Sequence, residues 1–445
     1  MNLSESLSIL SNKLSSIILS EAELAKAHLT HPEDIIVMQG SKGLENALAR
    51  MTATLQQPEQ ATIKWDGSPA LIFGYGPAGK FQVMDKHMFD KVDDSGRNVF
   101  SPKQFKQYDI NRGVIRDNLA QDIANLWPDL QKATPKTPGY YWGDMLFGSP
   151  LPINNGMYVF QPNEKGIEYK VPANIPFAQQ NLKGKRAGIA VHQFIPADAH
   201  QKAIEANLEA KRKGSNEKFK ATDFAQSLNG GLGQLVIPKN SNIAILPSKM
   251  EVTPTMNTDK KEWDAAIARV KEMLIPLEAS IDQFVGGMPL ANKTTNDKFR
   301  AYLTSYVNHE VRKIFPSLQT SKSPEQRDAI INNVLKTMGV DFINYVKQDL
   351  SEPKNAKFTD TNKQQILNHI QTNKKGMMNL YKMWAELYKL KMHIYNDLDV
   401  AGKQGQVKGY LKTGDESQEG YVAHGVKYVD RLGGFSAQNL AGNRR

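Results

Sequence analysis

The sharpest local string in the chain is Thr62-Ile-Lys64-Trp-Asp66-Gly67-Ser68-Pro-Ala70, in which a strand-like run delivers a lysine into a Gly-containing turn. A carboxylate follows two residues on. A lysine amine is a poor nucleophile while protonated; burial or nearby positive charge, a metal ion included, lowers its pKa and arms it. Asp66 is suited to a sugar hydroxyl or to a metal. Taken alone, the string reads more simply as an ordinary strand-to-turn passage. A second string, Gln418-Glu419-Gly420-Tyr421-Val422-Ala423-His424-Gly425-Val426-Lys427-Tyr428-Val429-Asp430-Arg431, lies near the other end. An acidic residue and a glycine open one strand, and a lysine stands eight residues later in the next. Paired as a hairpin, these strands bring Glu419 and Lys427 toward one site, the first suited to Mg²⁺ and the second to phosphate. Gly40-Ser-Lys-Gly43 precedes a helix and can hold a phosphate on backbone N–H groups. It lacks the full P-loop spacing and reads more simply as an ordinary helix start.

The elements around these strings follow from periodicity. Leu3, Leu7, Leu10 and Leu14 predict an N-terminal helix, and Leu44–Leu55 a second. Short strands are predicted at Ala61–Trp65, Ala70–Tyr75, Lys80–Met84, Gly139–Leu146, Met157–Gln161, Gly166–Val171 and Gly188–Ile195, with a helix at Asp117–Gln131. That mixture is an α+β signature rather than a regular βαβ alternation. From Asp198 to about Gly402 the pattern is helical, over Ala203–Lys213, Lys260–Glu278, Asn296–Ile314, Pro324–Leu350 and Thr361–Leu398, with breaks where Gly, Pro and polar clusters intervene. Strand texture returns at Gln406–Lys412, Gly420–Ala423 and Gly425–Val429. The organisation expected is an N-terminal helical segment (1–58), the first part of an α+β core (59–200), a helical insertion (201–402) and the final core strands with a tail (403–445). His309, His369 and His393 stand in helices without an i,i+4 partner and read as non-ligands. Met377, Met378, Met383 and Trp384 read as packing. Lys211, Arg212 and Lys213 form a basic cluster, either a solvated helix face or a contact to nucleic-acid backbone.

Composition narrows the classes. The chain has 445 residues, 40% of them hydrophobic, which supplies real cores and excludes wholesale disorder. No run of 18 apolar residues occurs, so no membrane span and no membrane partner are expected. With no cysteine, disulfides, thiolate metal sites and Cys nucleophiles are excluded together, which fits a reducing cytoplasm. The formal charge of +10 favours a polyanionic partner.

The two strings resemble the motif set of the covalent nucleotidyltransferases, the superfamily of ATP-dependent DNA ligases, RNA ligases and mRNA-capping guanylyltransferases. Lys64-Trp-Asp-Gly67 looks like motif I, Glu419-Gly-Tyr-Val-Ala423 like motif IV and Val426-Lys-Tyr-Val429 like motif V. Phe81-Gln-Val-Met-Asp-Lys86 is similar to motif Ia, and Tyr140-Tyr-Trp-Gly-Asp144-Met-Leu146 to motif III with Asp144 in place of the usual Glu. Gly188-Ile-Ala-Val-His-Gln-Phe194 is similar to the aromatic-bearing strand IIIa. The forms KxDGS and EGYVA lean toward RNA ligases. The string Lys-Trp-Asp-Gly-Ser-Pro-Ala with a tail Phe435-Ser-Ala-Gln-Asn439 also resembles tailed-phage proteins, which implies a host bacterial cytoplasm. The chain departs from the pattern in three ways. Val429 stands where motif V usually has a second Lys, with Arg431 the nearest substitute. Motifs III and IV are far apart. No OB-fold is expected after motif V.

The resemblance implies a ligase-type core of antiparallel sheets with flanking helices and a large helical insertion. It implies ATP with Mg²⁺ or Mn²⁺, a lysyl-AMP intermediate, and a nucleic-acid partner with a 5′-phosphate end. Lys64 would be the nucleophile, Lys427 would bind the α-phosphate, and Lys86 the 5′-phosphate or one nearby. Glu419 and Asp144 would hold metal, Asp66, Gly67 and Asp144 would contact ATP or its metal, and Phe194 with His192 would stack on adenine or pack structurally. The activity implied is ATP-dependent polynucleotide ligation, RNA before DNA. The alternatives are a degenerate, non-catalytic nucleic-acid-binding or virion-associated protein, and an enzyme passing AMP to a protein or metabolite.

Overall fold

The computed structural model describes residues 30–91, 99–163, 166–212, 219–228, 231–238, 240–288, 291–321, 323–411, 414–435 and 437–438. The helix expected over Leu3–Leu14, residue Lys213 of the basic cluster, and Ser436 and Asn439 of the tail string lie outside the described residues. The fold is α+β, and the chain divides into two compact units. Thr62–Glu251 and Gln406–Gly409 belong to a sheet unit; 30–61, Val252–Gly405 and the segment from Tyr410 onward belong to a helical unit. The described region opens on α1 (Asp34–Gln39) and α2 (Ser41–Gln56), both in the helical unit. The buried stripe of α2, Leu44, Ala47, Leu48 and Met51, specifies that the helix packs but not against which unit.

The sheet unit is built on β1 (Thr62–Lys64), β2 (Ala70–Tyr75), β3 (Phe81–Asp85), β4 (Gly139–Phe147), β8 (Ala187–Pro196), β9 (Gln226–Ser227) and β10 (Ile243–Pro247). The main sheet runs β10-β8-β4-β2-β3, with β9 beside β8. The β8–β10 pair is parallel; β2–β3, β2–β4 and β4–β8 are antiparallel. Between β3 and β4 come α3 (Lys86–Phe89), α4 (Pro102–Asn111) and α5 (Asp117–Ala133). On α5, Ile123, Leu126, Trp127 and Leu130 recur at helical spacing and are buried in one cluster with Leu71, Phe73, Val83, Ile189 and Ile245 of the strands. A smaller antiparallel meander, β5 (Ile153–Asn154), β6 (Met157–Phe160) and β7 (Glu168–Pro172), precedes α6 (Pro176–Asn181). After β8 comes α7 (Ala199–Arg212).

The helical region was expected from residue 201, yet α7, β9 and β10 all belong to the sheet unit. Ile243-Ala-Ile-Leu246 is a short continuous apolar run, which periodicity cannot separate from a buried helix segment. Its parallel partner lies some fifty residues earlier, so no local turn marks it.

The helical unit continues through α8 (Lys260–Leu274), α9 (Glu278–Val285), α10 (Lys293–Thr320), α11 (Pro324–Thr337), α12 (Phe342–Ser351), α13 (Asp360–Thr372) and α14 (Lys374–Gln404). The breaks expected within the two longer helical stretches divide each of them into a pair of helices. Gly339, at φ +94°, separates α11 from α12, and Asn373 separates α13 from α14. The buried stripe of α14 runs Met377, Leu380, Trp384, Leu387, Lys391, Ile394 and Leu398. The lysine in that stripe is fully buried and is paired with Glu33 at 2.6 Å. After α14, Lys408 begins β11 (Lys408–Tyr410), and the hairpin β12 (Gly420–Ala423) and β13 (Val426–Tyr428) follows. Tyr410 onward was expected to complete the α+β core and groups with the helices instead. His369 stacks on Phe284, and its Nε2 lies 3.0 Å from that residue's carbonyl oxygen. It packs and does not ligate. No helix among the described residues is long and apolar enough to cross a membrane.

Candidate functional site

Lys64 ends β1, whose Ile63 N–H donates to the Ser248 carbonyl at 2.8 Å. The chain then turns through Trp65-Asp-Gly-Ser-Pro69 into β2, and β4 holds that turn from below. Ser68 N–H donates to the Met145 carbonyl at 2.9 Å, and Met145 N–H to the Pro69 carbonyl at 3.0 Å. These two bonds prolong the β2–β4 ladder beyond its Ala70–Asp144 pair. A Cβ on Gly67 would stand 2.5 Å from the Cβ of Asp144, so glycine is what lets the turn settle on that carboxylate's strand. Lys64 is half-buried, as is Asp144.

Asp66 is fixed differently from its expected role at ATP or metal. It is 6% exposed, and its Oδ2 accepts the Ile167 N–H at 2.7 Å. Its own N–H donates to the Tyr169 hydroxyl at 2.8 Å. A Cβ at Gly166 would collide with the Asp66 carboxylate, so that glycine is as necessary to the latch as Gly67 is to the turn. Burial raises the Asp66 pKa; the Ile167 N–H, the Lys64 ammonium and Asn163 oppose the rise, and the Asp144 carboxylate adds to it. Asp66 thus ties the lysine-bearing turn to the β5–β7 meander. Trp65 packs beside it on Tyr169, ring centroids 5.1 Å apart.

The same face of β4 carries Trp142 and Asp144, two residues apart on the pleat. On β8 the register slips: Trp142 pairs with Gln193 and Gly143 with Val191, leaving His192 as the extra residue of a bulge. The bulge re-aims the imidazole onto that face. His192 Nε2 lies 3.2 Å from Asp144 Oδ2, and its ring lies 5.6 Å from that of Trp142. Lys86 sits across the same indole, its Nζ 5.0 Å from the ring centroid. Burial lowers its pKa, and Lys220 does so as well, against the pull of Asp90 and Asp223. Lys86 opens α3, whose N-cap Asp85 accepts the Met88 N–H and is gripped by Arg112 and Arg116 at 2.9 and 2.6 Å. The basic stretch Lys86–Arg116 therefore spends two of its arginines on internal carboxylates, Arg116 also reaching Asp109.

Phe194, expected to stack on a base, is placed elsewhere. It pairs with Tyr141 in register and packs edge-on to that ring at 5.3 Å, against the main core. Tyr141 alternates with Trp142 and so belongs to the opposite face from Asp144. The bulge at His192 is the reason two residues of like parity part company, and nothing in the sequence marks a bulge there. The His192–Asp144 pair was missed for that reason. Lys211 and Arg212 are exposed at the C-terminal end of α7.

In the helical unit the expected hairpin forms. Tyr421 pairs with Tyr428, Val422 with Lys427 and Ala423 with Val426, around a two-residue turn at His424 (φ +46°) and Gly425 (φ +73°). Lys427 is half-buried opposite Val422, and Glu419 precedes the ladder. Arg431 does not stand in for a second motif V cation. It is 4% exposed, donates to both oxygens of Asp34 at 2.7 Å and reaches Asn308 at 2.8 Å. The Gly40–Gly43 segment is likewise engaged. Ser41 N–H and Oγ both donate to the Asp282 carboxylate at 2.7 Å, so the anion at this helix start is the protein's own. Among the described residues, no group of three or more His, Asp and Glu side chains gathers as a metal cluster.

No curated protein and no solved structure matches the chain. A match does extend over residues 26–444, which takes in both units and every candidate residue above, and on that match the chain belongs to the family of unknown function DUF6267.

Proposed function

We propose that this protein is a covalent nucleotidyltransferase, an ATP-dependent polynucleotide ligase with RNA ends favoured over DNA ends, and that Lys64 is its nucleophile. The observation that carries the reading is the seating of the Lys64–Ala70 turn on β4, with Gly67 against Asp144 and Lys86 and His192 on one face beside it. Along the chain these residues follow the order the resemblance requires. In the first step the neutral Lys64 amine attacks the α-phosphorus of ATP, an N–P bond forms, and the P–O bond to pyrophosphate breaks. In the second, a 5′-phosphate oxygen displaces the lysine and takes AMP; in the third, a 3′-hydroxyl displaces AMP.

The residues fit this chemistry unequally. Asp144, half-buried and held from one side by His192, would hold Mg²⁺ in this reading. Mg²⁺ commonly takes only one or two carboxylates, with phosphates and water completing its octahedron. Bound there, the metal would supply charge neutralisation at phosphate oxygens. Lys86 supplies a partly desolvated cation on the same face, and Asp66 holds the turn rather than the ligand. Positioned cations carry most of the stabilisation in such transfers.

The experiment is intact-protein mass after incubation with ATP and Mg²⁺, beside Lys64→Ala. An AMP adduct on the wild type and none on the variant is the expected result; discharge by a 5′-phosphorylated RNA then separates ligation from AMP transfer to protein. The same assay on Glu419→Gln and Lys427→Ala tests the roles the resemblance implies for the hairpin. The engagement of Arg431 by Asp34 favours a second reading, a degenerate member that binds nucleic acid without catalysis. Absence of any adduct with ATP, GTP or NAD, on protein purified free of prior adenylylation, selects it.

A further inference from the structure

The helical unit carries a groove of about 370 Å³ between α11 and α14 that the lysine chemistry does not use. Its floor is apolar, with Leu335 and Met338 from α11 and the turn after it and Met378 from α14. Its rim is basic on both sides. Lys336 rises from α11, and Lys382 and Lys389 rise from α14; all three are exposed. Lys375, Lys382 and Lys389 fall seven residues apart, so they form a row along one helix face with roughly 10 Å between neighbours. Glu386 is the acidic residue in the lining, and it holds Lys389 at 2.7 Å.

We infer that this groove binds single-stranded nucleic acid through its phosphate backbone. An apolar floor with cations on both flanks matches a strand whose bases lie inward and whose phosphates lie outward. The polar side chains of the lining other than its charged ones are the amides of Asn332 and Asn379, and it holds no aromatic ring, so the lysines and not a stacking platform set the contact. The excess of +10 over the whole chain acts in the same direction. The inference is independent of Lys64: strand binding is measured without ATP, so its failure and the failure of the ligase reading are separate results.

The test uses the full chain and a fluorescein-labelled, mixed-sequence 20-nucleotide single strand, read by anisotropy over a salt series (the length is about that of a typical site, on the order of 4–16 nucleotides, with margin). Lys336→Gln/Lys382→Gln/Lys389→Gln is expected to lose at least about tenfold in affinity, and its slope of log K against log salt to fall by about 2, near 0.7 per lost phosphate contact. Lys260→Gln/Lys261→Gln/Lys271→Gln on α8 changes the net charge equally from outside the groove and is expected to keep the wild-type slope. Equal losses in both triple variants, or a wild type that binds no strand, overturn the proposal. Tighter binding of polyglutamate than of the strand also overturns it and makes the groove a protein-docking surface. Should the triple variant melt early, Lys382→Gln alone must lower the slope by about 0.7.

Discussion

Gly67 shows how narrowly the candidate site is dimensioned at the level of single residues. The turn it belongs to is hydrogen-bonded to β4 on both sides of Met145, so neither backbone can retreat from a new methyl group. Gly67→Ala is therefore expected to displace Lys64 relative to Asp144 and to abolish the AMP adduct. The stability cost of such overpacking is about 1–3 kcal/mol, which urea unfolding reads. An adduct at the wild-type rate would mean that the Gly67–Asp144 approach has no part in the chemistry. Asp66 and Asp144, two carboxylates that the sequence treats alike, are separated by their surroundings. One is sealed under the Ile167 N–H, and the other stays half-exposed against His192.

At the level of elements, polar side chains buried inside helix stripes decide much of the helical unit. Lys391 lies on the buried face of α14, gives one hydrogen bond to Glu33 at 2.6 Å and another to the Val429 carbonyl at 2.9 Å. Burial raises the Glu33 carboxyl and lowers the Lys391 ammonium, and their mutual attraction opposes both shifts. Lys391→Met strands a buried carboxylate, and a loss of about 3–5 kcal/mol is expected in chemical unfolding. Glu33→Gln/Lys391→Met is expected to regain most of it; an additive further loss would contradict this account. Elements with a clear local period were legible in the sequence. Strand β2 was expected at its observed bounds, Ala70–Tyr75, and the β12–β13 hairpin was readable from the glycines at 420 and 425. Strand β10 was not, because parallel pairing leaves no turn signal, and His192 was not, because a bulge is set by the neighbouring strand's register. The candidate residues could be named from type and order, whereas their division between two units was not legible.

At the level of the whole molecule, each unit holds a carboxylate whose pKa is depressed on folding. In the helical unit, burial pushes Asp349 up, but hydrogen bonds from Lys298, Lys354 and Tyr302 outweigh it and hold its pKa well below the usual carboxylate range. In the sheet unit, burial likewise opposes, and the Met88 N–H with Arg116 and Arg112 overcomes it to depress Asp85. A carboxyl depressed on folding contributes stability above its unfolded value near ~3.9, and that contribution is lost as pH falls toward the folded value. The melting midpoint is thus expected to hold from neutral pH to about pH 5 and to drop below about pH 4, less steeply in Asp349→Asn. Equal acid slopes in the variant and the wild type would remove Asp349 from the explanation. The long sequence span of the pairs in the helical unit has a consequence for synthesis. Nearly all of the sheet unit is complete once Glu251 has been made, whereas Asp34 waits for Arg431, 397 residues later. At about 5–20 residues per second, the roughly 180 residues between those events take on the order of ten to forty seconds. During that interval a nascent chain carries a sheet unit that lacks only its Gln406–Gly409 segment, and α1 and α2 without their closing partners, so a ribosome stalled in that window would release a protein whose acidic pair at Glu33 and Asp34 still lies open to solvent.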